Sequence, residues 1–194
     1  MKIETIEIAG LAGALTALRL PFGKEVRSGI VAKNKLLWFV NTDDKSWASN
    51  TYEIPGNHIG VDNKDLTLMQ TLVKRGDEHA KVVRGIMVWA KITAPVYWWC
   101  EEETYRAGHE RLASESTMHI DCRGLTGQEL QEAKSAIPMG KELTKVDMFS
   151  YQTLRKMVAQ RHNHRLPEWH QFIDWIKTLP LAEDLILVGL DMEE

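Results

Sequence analysis

The sequence has 194 residues, a length that suits one domain with its own hydrophobic core, here residues 1–194. Lys and Arg number 24 and Asp and Glu 27, and the formal net charge of -3 argues against nucleic acid as the main partner. Two cysteines exclude a disulfide framework, and no apolar run reaches the roughly 20 residues of a membrane-spanning helix. We expect a cytoplasmic protein with no signal peptide and no membrane partner.

The N-terminal third of the sequence predicts a strand, a helix, a hairpin and a long loop. A strand over residues 3–8 precedes an apolar helix over residues 10–20. Residues 30–40 predict a hairpin with its turn at Lys33-Asn34. The polar stretch 41–58 is predicted to be a long surface loop, a kind of segment that often carries function.

A capped helix and an apolar strand are predicted next. Asp62 or its neighbour caps a helix with apolar residues at helical spacing, and Gly76 suits the position after its end. Residues 85–92 predict a strand, although a buried helix would also suit so apolar a run. Thr93 and Pro95 are typical of a helix start, so the next helix is predicted to begin there.

The C-terminal half is predicted to be helical apart from one polar loop. This loop covers residues 108–121 and lies between helices. Helices are predicted over residues 126–136, where Thr126 opens a capping box, and over residues 147–162. Another helix is predicted to begin at Pro167, and a short last helix covers residues 181–188. The pattern as a whole predicts an α+β protein.

The predicted helix after Pro95 holds the first candidate site residues. Trp98 and Trp99 are expected in the core or in a subunit contact rather than in a stacking platform for a ligand. The three acids at 101–103 point around more than half of the helix, so we expect two to be solvated and one to face inward. The inward acid could accept a hydrogen bond from a ligand.

Three polar segments are candidate anion sites. Residues 106–119 combine two arginines with hydroxyl groups and imidazoles, residues 161–165 read Arg-His-Asn-His-Arg, and residues 79–84 contain three cationic side chains. Hydroxyl groups and arginine are the usual means of holding phosphate. The alternatives are a solvated polar loop, a helix C-terminus favoured by the helix dipole, and ordinary surface charge, respectively.

Neither nucleophilic nor metal chemistry is predicted from these segments. No Gly-x-Ser-x-Gly turn surrounds either serine of the first segment, so a serine nucleophile with a histidine base is not expected. His162 and His164 could pair on a metal ion, but no nearby cysteine or acid pair completes a ligand set at suitable spacing. We therefore expect no metal.

Several segments together resemble a group of short phage and bacterial proteins that are similar to flavin-dependent thymidylate synthases. The resemblance rests on residues 76–79 with Arg84, 92–99, 101–105, 114–119 and 161–170, and more weakly on 14–21. With Ser116 as the anchor, the first arginine of the family's Arg-His-Arg signature matches Arg106. Ala107 and Gly108 take the next two positions of that signature.

The resemblance implies an α+β fold with a mixed sheet and packed helices, in a homotetramer that binds nucleotides between subunits. It implies an FAD-dependent enzyme that methylates dUMP reductively to dTMP, with methylene-tetrahydrofolate and NADPH as co-substrates and with no protein nucleophile. The substrate-binding residues that it implies are Glu103, Arg106, Ser114, Ser116, His119 and Arg161. The cofactor-binding residues that it implies are His79, Lys81, Arg84, Asn163 and Arg165.

Two alternative functions remain open at this stage. One is a nucleotide hydroxymethylase that keeps the pocket and changes the one-carbon product. The other is a nucleotide-binding or assembly protein without flavin chemistry, which Ala107 and Gly108 favour because they replace the His-Arg of the signature.

Overall fold

In the computed structural model, residues 1–23, 29–32, 35–38, 51–54 and 57–192 are described. The strands are β1 (Lys2–Ala9), β2 (Gly29–Ala32), β3 (Lys35–Trp38), β4 (Thr51–Ile54), β5 (Asn57–Gly60), β6 (Met87–Pro95), β7 (His109–Ser114) and β8 (Glu142–Ser150). The helices are α1 (Leu11–Arg19), α2 (Asn63–Lys74), α3 (Lys81–Arg84), α4 (Val96–Glu102), α5 (Thr117–Ile120), α6 (Gly127–Ser135), α7 (Tyr151–Arg161) and α8 (Pro167–Lys177). A 3₁₀ turn covers Leu20–Phe22 and a π-helical turn covers Ala182–Leu187. The predicted α+β class is confirmed.

The main sheet has the strand order β1-β6-β8-β7, and every neighbouring pair in it is antiparallel. A mixed sheet was expected, and this part of the expectation is wrong. The central strand β6 buries Val88, Ala90 and Ile92, while Lys91 is exposed. This alternation is the period of a strand, because successive side chains point to opposite faces of a sheet.

The second sheet has the order β3-β2-β5-β4 and is also antiparallel. The pairing of β2 with β3 confirms the predicted hairpin, whereas its predicted turn at Lys33-Asn34 lies outside the described residues. The prediction of a loop over 41–58 is wrong at β4 and the start of β5, which pair with each other. Thr, Tyr and Ile in β4 favour a strand, and a loop prediction based on polarity overlooked them. The remainder of that stretch lies outside the described residues.

The core contains a cluster of aromatic side chains from α4 and α8. The ring of Trp98 lies 5.1 Å from that of Trp169 and 5.4 Å from that of Phe172, measured between centroids. Trp98 and Trp99 are both buried, which confirms their predicted place in the core. None of the described helices combines the length and apolarity that crossing a membrane requires.

Three predicted boundaries around the main sheet are wrong. Thr93 and Pro95 belong to β6, and the helix begins after them; a proline at the last position of a strand removes few ladder hydrogen bonds. The segment predicted as a polar loop contains the edge strand β7. Residues 147–150 belong to β8, and Ser150 caps α7 by accepting a hydrogen bond from the Thr153 amide (3.1 Å).

The helices with clear end signals begin as predicted. Asp62 caps α2 by accepting a hydrogen bond from the Lys64 amide, and Gly76 follows its end with a positive φ of 99°. Pro167 opens α8, and α6 follows Thr126. The Thr126 side chain makes no capping hydrogen bond, so the predicted capping box is wrong.

Candidate functional site

A groove of about 570 Å³ lies beside α1 and α3. Small residues of α1 line it, among them Gly13, Ala14 and Ala17. Because these side chains are short, the helix presents a low apolar surface. A Cβ added at Gly13 would meet nothing within 4 Å, so the space beside this residue is open.

At the groove, the chain before α1 approaches the end of α3 very closely. Gly10 has a φ of +85°, and a Cβ built on it would lie 1.8 Å from the carbonyl oxygen of Gly85. Only glycine satisfies both the left-handed backbone and this contact. Gly10 and Gly85 both line the groove.

Two of the predicted cofactor-binding residues reach this groove and three do not. His79 and Lys81 line it, and both are exposed to solvent. Arg84 is not among the lining residues and donates a hydrogen bond to the Asp77 carbonyl oxygen (2.6 Å). The exposed Asn163 and Arg165, in the turn after α7, are also absent from its lining. The cofactor roles of all five residues stay predictions.

A second candidate site is a buried charged cluster where α4 ends against β7 and β8. Glu102 and Asp147 are fully buried, and Arg111 bridges them. The Nη2 of Arg111 donates to Glu102 Oε2 (2.7 Å), and its Nε donates to Asp147 Oδ1 (3.1 Å). His109 Nε2 lies 3.0 Å from Glu102 Oε1. Burial raises the pKa of Glu102 to about 7.

The acid that faces inward is therefore Glu102, whereas Glu103 was expected beside the substrate base. Glu103 is half exposed and is held by Arg111 and by Lys145, whose Nζ lies 3.0 Å from Glu103 Oε1. This cluster was not predicted from the sequence, because residues 109–114 were expected to form a loop. As a strand, the same segment places His109 and Arg111 two residues apart on one face.

Arg161 lies in a third polar group, close to the aromatic core. Its Nε donates to the Tyr105 hydroxyl (2.9 Å) and its Nη1 donates to Glu101 Oε2 (3.0 Å). Its guanidinium carbon lies 4.9 Å from the centroid of the Trp169 ring. Glu101 Oε2 also lies 3.2 Å from His164 Nε2. Arg161 thus already has partners within the chain, and its phosphate-binding role stays a prediction.

The other predicted substrate residues lie on or near β7 and α5. Arg106 is exposed in the preceding loop and makes no hydrogen bond or ion pair with the part of the chain that is described. Ser114 ends β7, Ser116 precedes α5, and His119 is exposed on α5. These last three residues are close in the sequence and lie in one short segment. Their substrate roles stay predictions.

The loop before β7 departs from the Arg-His-Arg signature for a structural reason. Gly108 has a φ of +72°, and a Cβ on it would lie 2.4 Å from Ser150 Oγ and 2.7 Å from Thr153 Oγ1. The Ser150 amide donates to the Gly108 carbonyl oxygen (2.7 Å), and the Thr153 hydroxyl donates to that of Ala107 (2.5 Å). The loop is therefore docked on the N-terminus of α7, where an arginine at position 108 would not fit.

Comparison with solved structures identifies the fold. Thymidylate synthase X (ThyX) from Helicobacter pylori, with FAD and dUMP, aligns with a TM-score of 0.64 and 10% identity over 100% of both chains. A second structure of that enzyme, complexed with FAD and dUMP, aligns with a TM-score of 0.61 and 12% identity over 97% of this chain and 98% of that one. The UMP/dUMP methylase PolB from Streptomyces cacaoi, bound with 5-Br dUMP, aligns with a TM-score of 0.57 and 10% identity over 99% and 97% of the two chains.

No protein-family model and no curated protein matches the sequence. The structural alignments nevertheless extend over essentially all of this chain and of each neighbour. The protein has a divergent form of the ThyX fold, as the sequence resemblance predicted.

Proposed function

We propose that this protein is a flavin-dependent enzyme that acts on a pyrimidine deoxynucleotide, dUMP. The proposed reaction is reductive methylation to dTMP, with methylene-tetrahydrofolate as the carbon donor and NADPH as the reductant. The observation that carries the proposal is the groove beside α1 and α3, which His79 and Lys81 help to line. The end-to-end likeness to structures that hold FAD and dUMP supports it.

The residues of the groove fit a flavin nucleotide. The volume of the groove, about 570 Å³, lies within the range of small-molecule sites. The low apolar surface at Gly13 and Ala17 suits a flat ring. The basic side chains of His79 and Lys81, which line the groove together with the acidic Glu78, suit a diphosphate. When bound, the flavin would supply hydride transfer. The chain's own residues would bind it, orient it and balance its charge.

The proposed nucleotide site lies on the segment from Arg106 to His119. Hydroxyl groups of Ser114 and Ser116 and the guanidinium of Arg106 would bind the phosphate of dUMP. Leu112, Met118 and Ile120 on β7 and α5 are large apolar side chains that are exposed. Such exposure is typical of an interface, so we propose a homo-oligomer, a tetramer, in which a second copy covers this segment.

Filling the groove tests the proposal. Gly13→Leu should leave the fold intact, because a Cβ there meets no neighbour and leucine favours a helix more than glycine does. The leucine side chain would occupy space that the flavin needs, so we expect the Kd for FAD to rise at least about tenfold in a fluorescence titration.

Thr16→Leu is the matched control, because Thr16 is exposed on α1 and does not line the groove. We expect this variant to bind FAD as the wild type does. Equal FAD affinity in the wild type and in both variants would remove the groove from the proposal.

The second candidate function is a nucleotide-binding protein without flavin chemistry. The docked loop at Ala107 and Gly108 favours it, because an arginine side chain at position 108 would overlap Ser150 and Thr153 in the observed backbone. Binding of dUMP by a protein that retains no FAD would support this candidate. Analysis of the product from labelled dUMP would separate methylation from hydroxymethylation in an active enzyme.

A further inference from the structure

The buried cluster at the end of α4 brings three hydrogen-bond acceptors together. His109 Nδ1 lies 2.8 Å from the Tyr105 carbonyl oxygen. A carbonyl oxygen only accepts hydrogen bonds, so Nδ1 carries the hydrogen and the Nε2 of the neutral ring carries a lone pair. That Nε2 lies 3.0 Å from Glu102 Oε1 and 3.6 Å from Asp147 Oδ2. Either a proton on Nε2 or a metal ion between these atoms would balance the two carboxylates.

Two of these atoms lack a hydrogen bond. Glu102 Oε1 and His109 Nε2 are buried atoms with no hydrogen-bond partner, although they lie close together. Their side chains are 0% and 7% exposed. Buried polar atoms in proteins are nearly always satisfied, so this pair calls for an explanation.

The spacing of the three atoms suits a single metal ion. Bonds of about 2.0–2.1 Å in tetrahedral geometry place neighbouring ligand atoms roughly 3.3 Å apart. The observed separations of 3.0 and 3.6 Å from His109 Nε2 bracket this value, and the ligand atoms of the group lie within 4.8 Å of one another.

The surroundings hold these ligands in place. Arg111 donates hydrogen bonds to Glu102 Oε2 and Asp147 Oδ1, and so leaves Glu102 Oε1 to face His109. Its Nη2 also lies 3.4 Å from Asp147 Oδ2. The Tyr105 carbonyl fixes the orientation of the imidazole. Metal-binding histidines commonly donate their second N–H to a carbonyl or carboxylate in this way.

We propose that Glu102, His109 and Asp147 bind one divalent transition-metal ion through Oε1, Nε2 and Oδ2. One imidazole and two carboxylates suit Zn²⁺ or Mn²⁺. The ion would join the end of α4 to β7 and β8 and would stabilise the edge of the main sheet. The earlier expectation of no metal missed this group because its members come together only when β7 pairs with β8. The proposal is independent of the flavin and nucleotide sites.

Metal titration of the full-length protein tests the site. After dialysis against EDTA, we expect calorimetry with Zn²⁺ or Mn²⁺ alone to show one ion per chain with a Kd below about 10 µM. The melting temperature should rise on adding the ion. X-ray absorption of the Zn²⁺-loaded wild type should show one nitrogen from imidazole and carboxylate oxygens at about 2.0–2.1 Å.

Matched variants assign the ion to these residues. Glu102→Gln and His109→Ala should weaken binding at least about a hundredfold, whereas Glu110→Gln and His170→Ala, both at exposed positions, should bind as the wild type does. No binding by the wild type at millimolar metal would overturn the proposal and leave a proton on His109 as the cation. Binding without an imidazole signature in the absorption spectrum would overturn it even if the variants fail to fold.

Discussion

Arg111 supplies the guanidinium that joins the carboxylates of the buried cluster. It contacts the carboxylates of Glu102 and Asp147, which are both fully buried, and also that of the exposed Glu103. Removing one partner of a buried ion pair is costly because the remaining charge stays out of water. The side chain of Arg111 is therefore more important to stability than that of a typical surface arginine.

Replacing Arg111 with leucine should destabilise the protein strongly. We expect Arg111→Leu to lower the free energy of unfolding by about 3–5 kcal/mol, because two buried carboxylates lose their cation. Urea unfolding in the presence of EDTA measures this without a metal ion to compensate. Arg106→Leu is the control, since Arg106 is exposed and unpaired in the described residues, and it should change the value by less than about 0.5 kcal/mol. Similar values for the two variants would contradict this account of the cluster.

The orientation of the three acids at 101–103 was only partly predictable from the sequence. Helix geometry alone predicted that one of the three faces inward. It did not identify Glu102, because the sequence does not say how α4 is rotated against the sheet. Glu101, expected to be a solvated or ligand-facing acid, instead binds Arg161 and the indole N–H of Trp169 (2.9 Å).

The loop before β7 contacts the start of α7. This contact positions the predicted substrate segment, which begins in that loop. The contact consists of two hydrogen bonds to the loop carbonyl groups and the close approach of Gly108 to Ser150 and Thr153. A side chain at position 108 would separate the loop from the helix.

Gly108→Ala tests this contact, and Gly124→Ala is its control. Both glycines have a positive φ, of +72° and +83°, but a Cβ at Gly124 would meet nothing within 4 Å. The control should lose only about 1 kcal/mol of stability through backbone strain. Gly108→Ala should lose about 1–3 kcal/mol more, because the added Cβ overlaps two side chains. Thermal unfolding of both variants measures the difference between their losses of stability. Equal losses would mean that the loop can shift away from α7 without cost, which would contradict the importance of this contact.

Elements were predictable where their ends carry local signals. Asp62 before α2 and Pro167 at the start of α8 mark helices through their own backbone chemistry. The strands β7 and β8 carry no such signal, because Arg111 and Asp147 are charged residues whose burial depends on each other. That pairing joins residues 36 positions apart and is visible only in the folded chain.

The whole molecule has a divergent ThyX fold, with a groove beside α1 and α3. The fold was predictable because several motifs along the chain resemble one family, and the structural alignments agree. The groove was only partly predictable. His79 and Lys81 were identified by their charge. The other wall comes from small residues of α1, a segment that resembles the family more weakly and whose side chains carry no charge to mark a site.

The most direct test of the account is the visible absorption spectrum of the purified protein after incubation with FAD and removal of free FAD, recorded with and without dUMP. If the protein is a flavin-dependent enzyme that acts on dUMP, we expect flavin bands to co-elute with the protein and dUMP to shift them, because both ligands would bind to one assembly. If the protein retains no flavin at saturating FAD and shows no response to dUMP, the proposed function is contradicted, and the chain has a ThyX fold that serves another purpose.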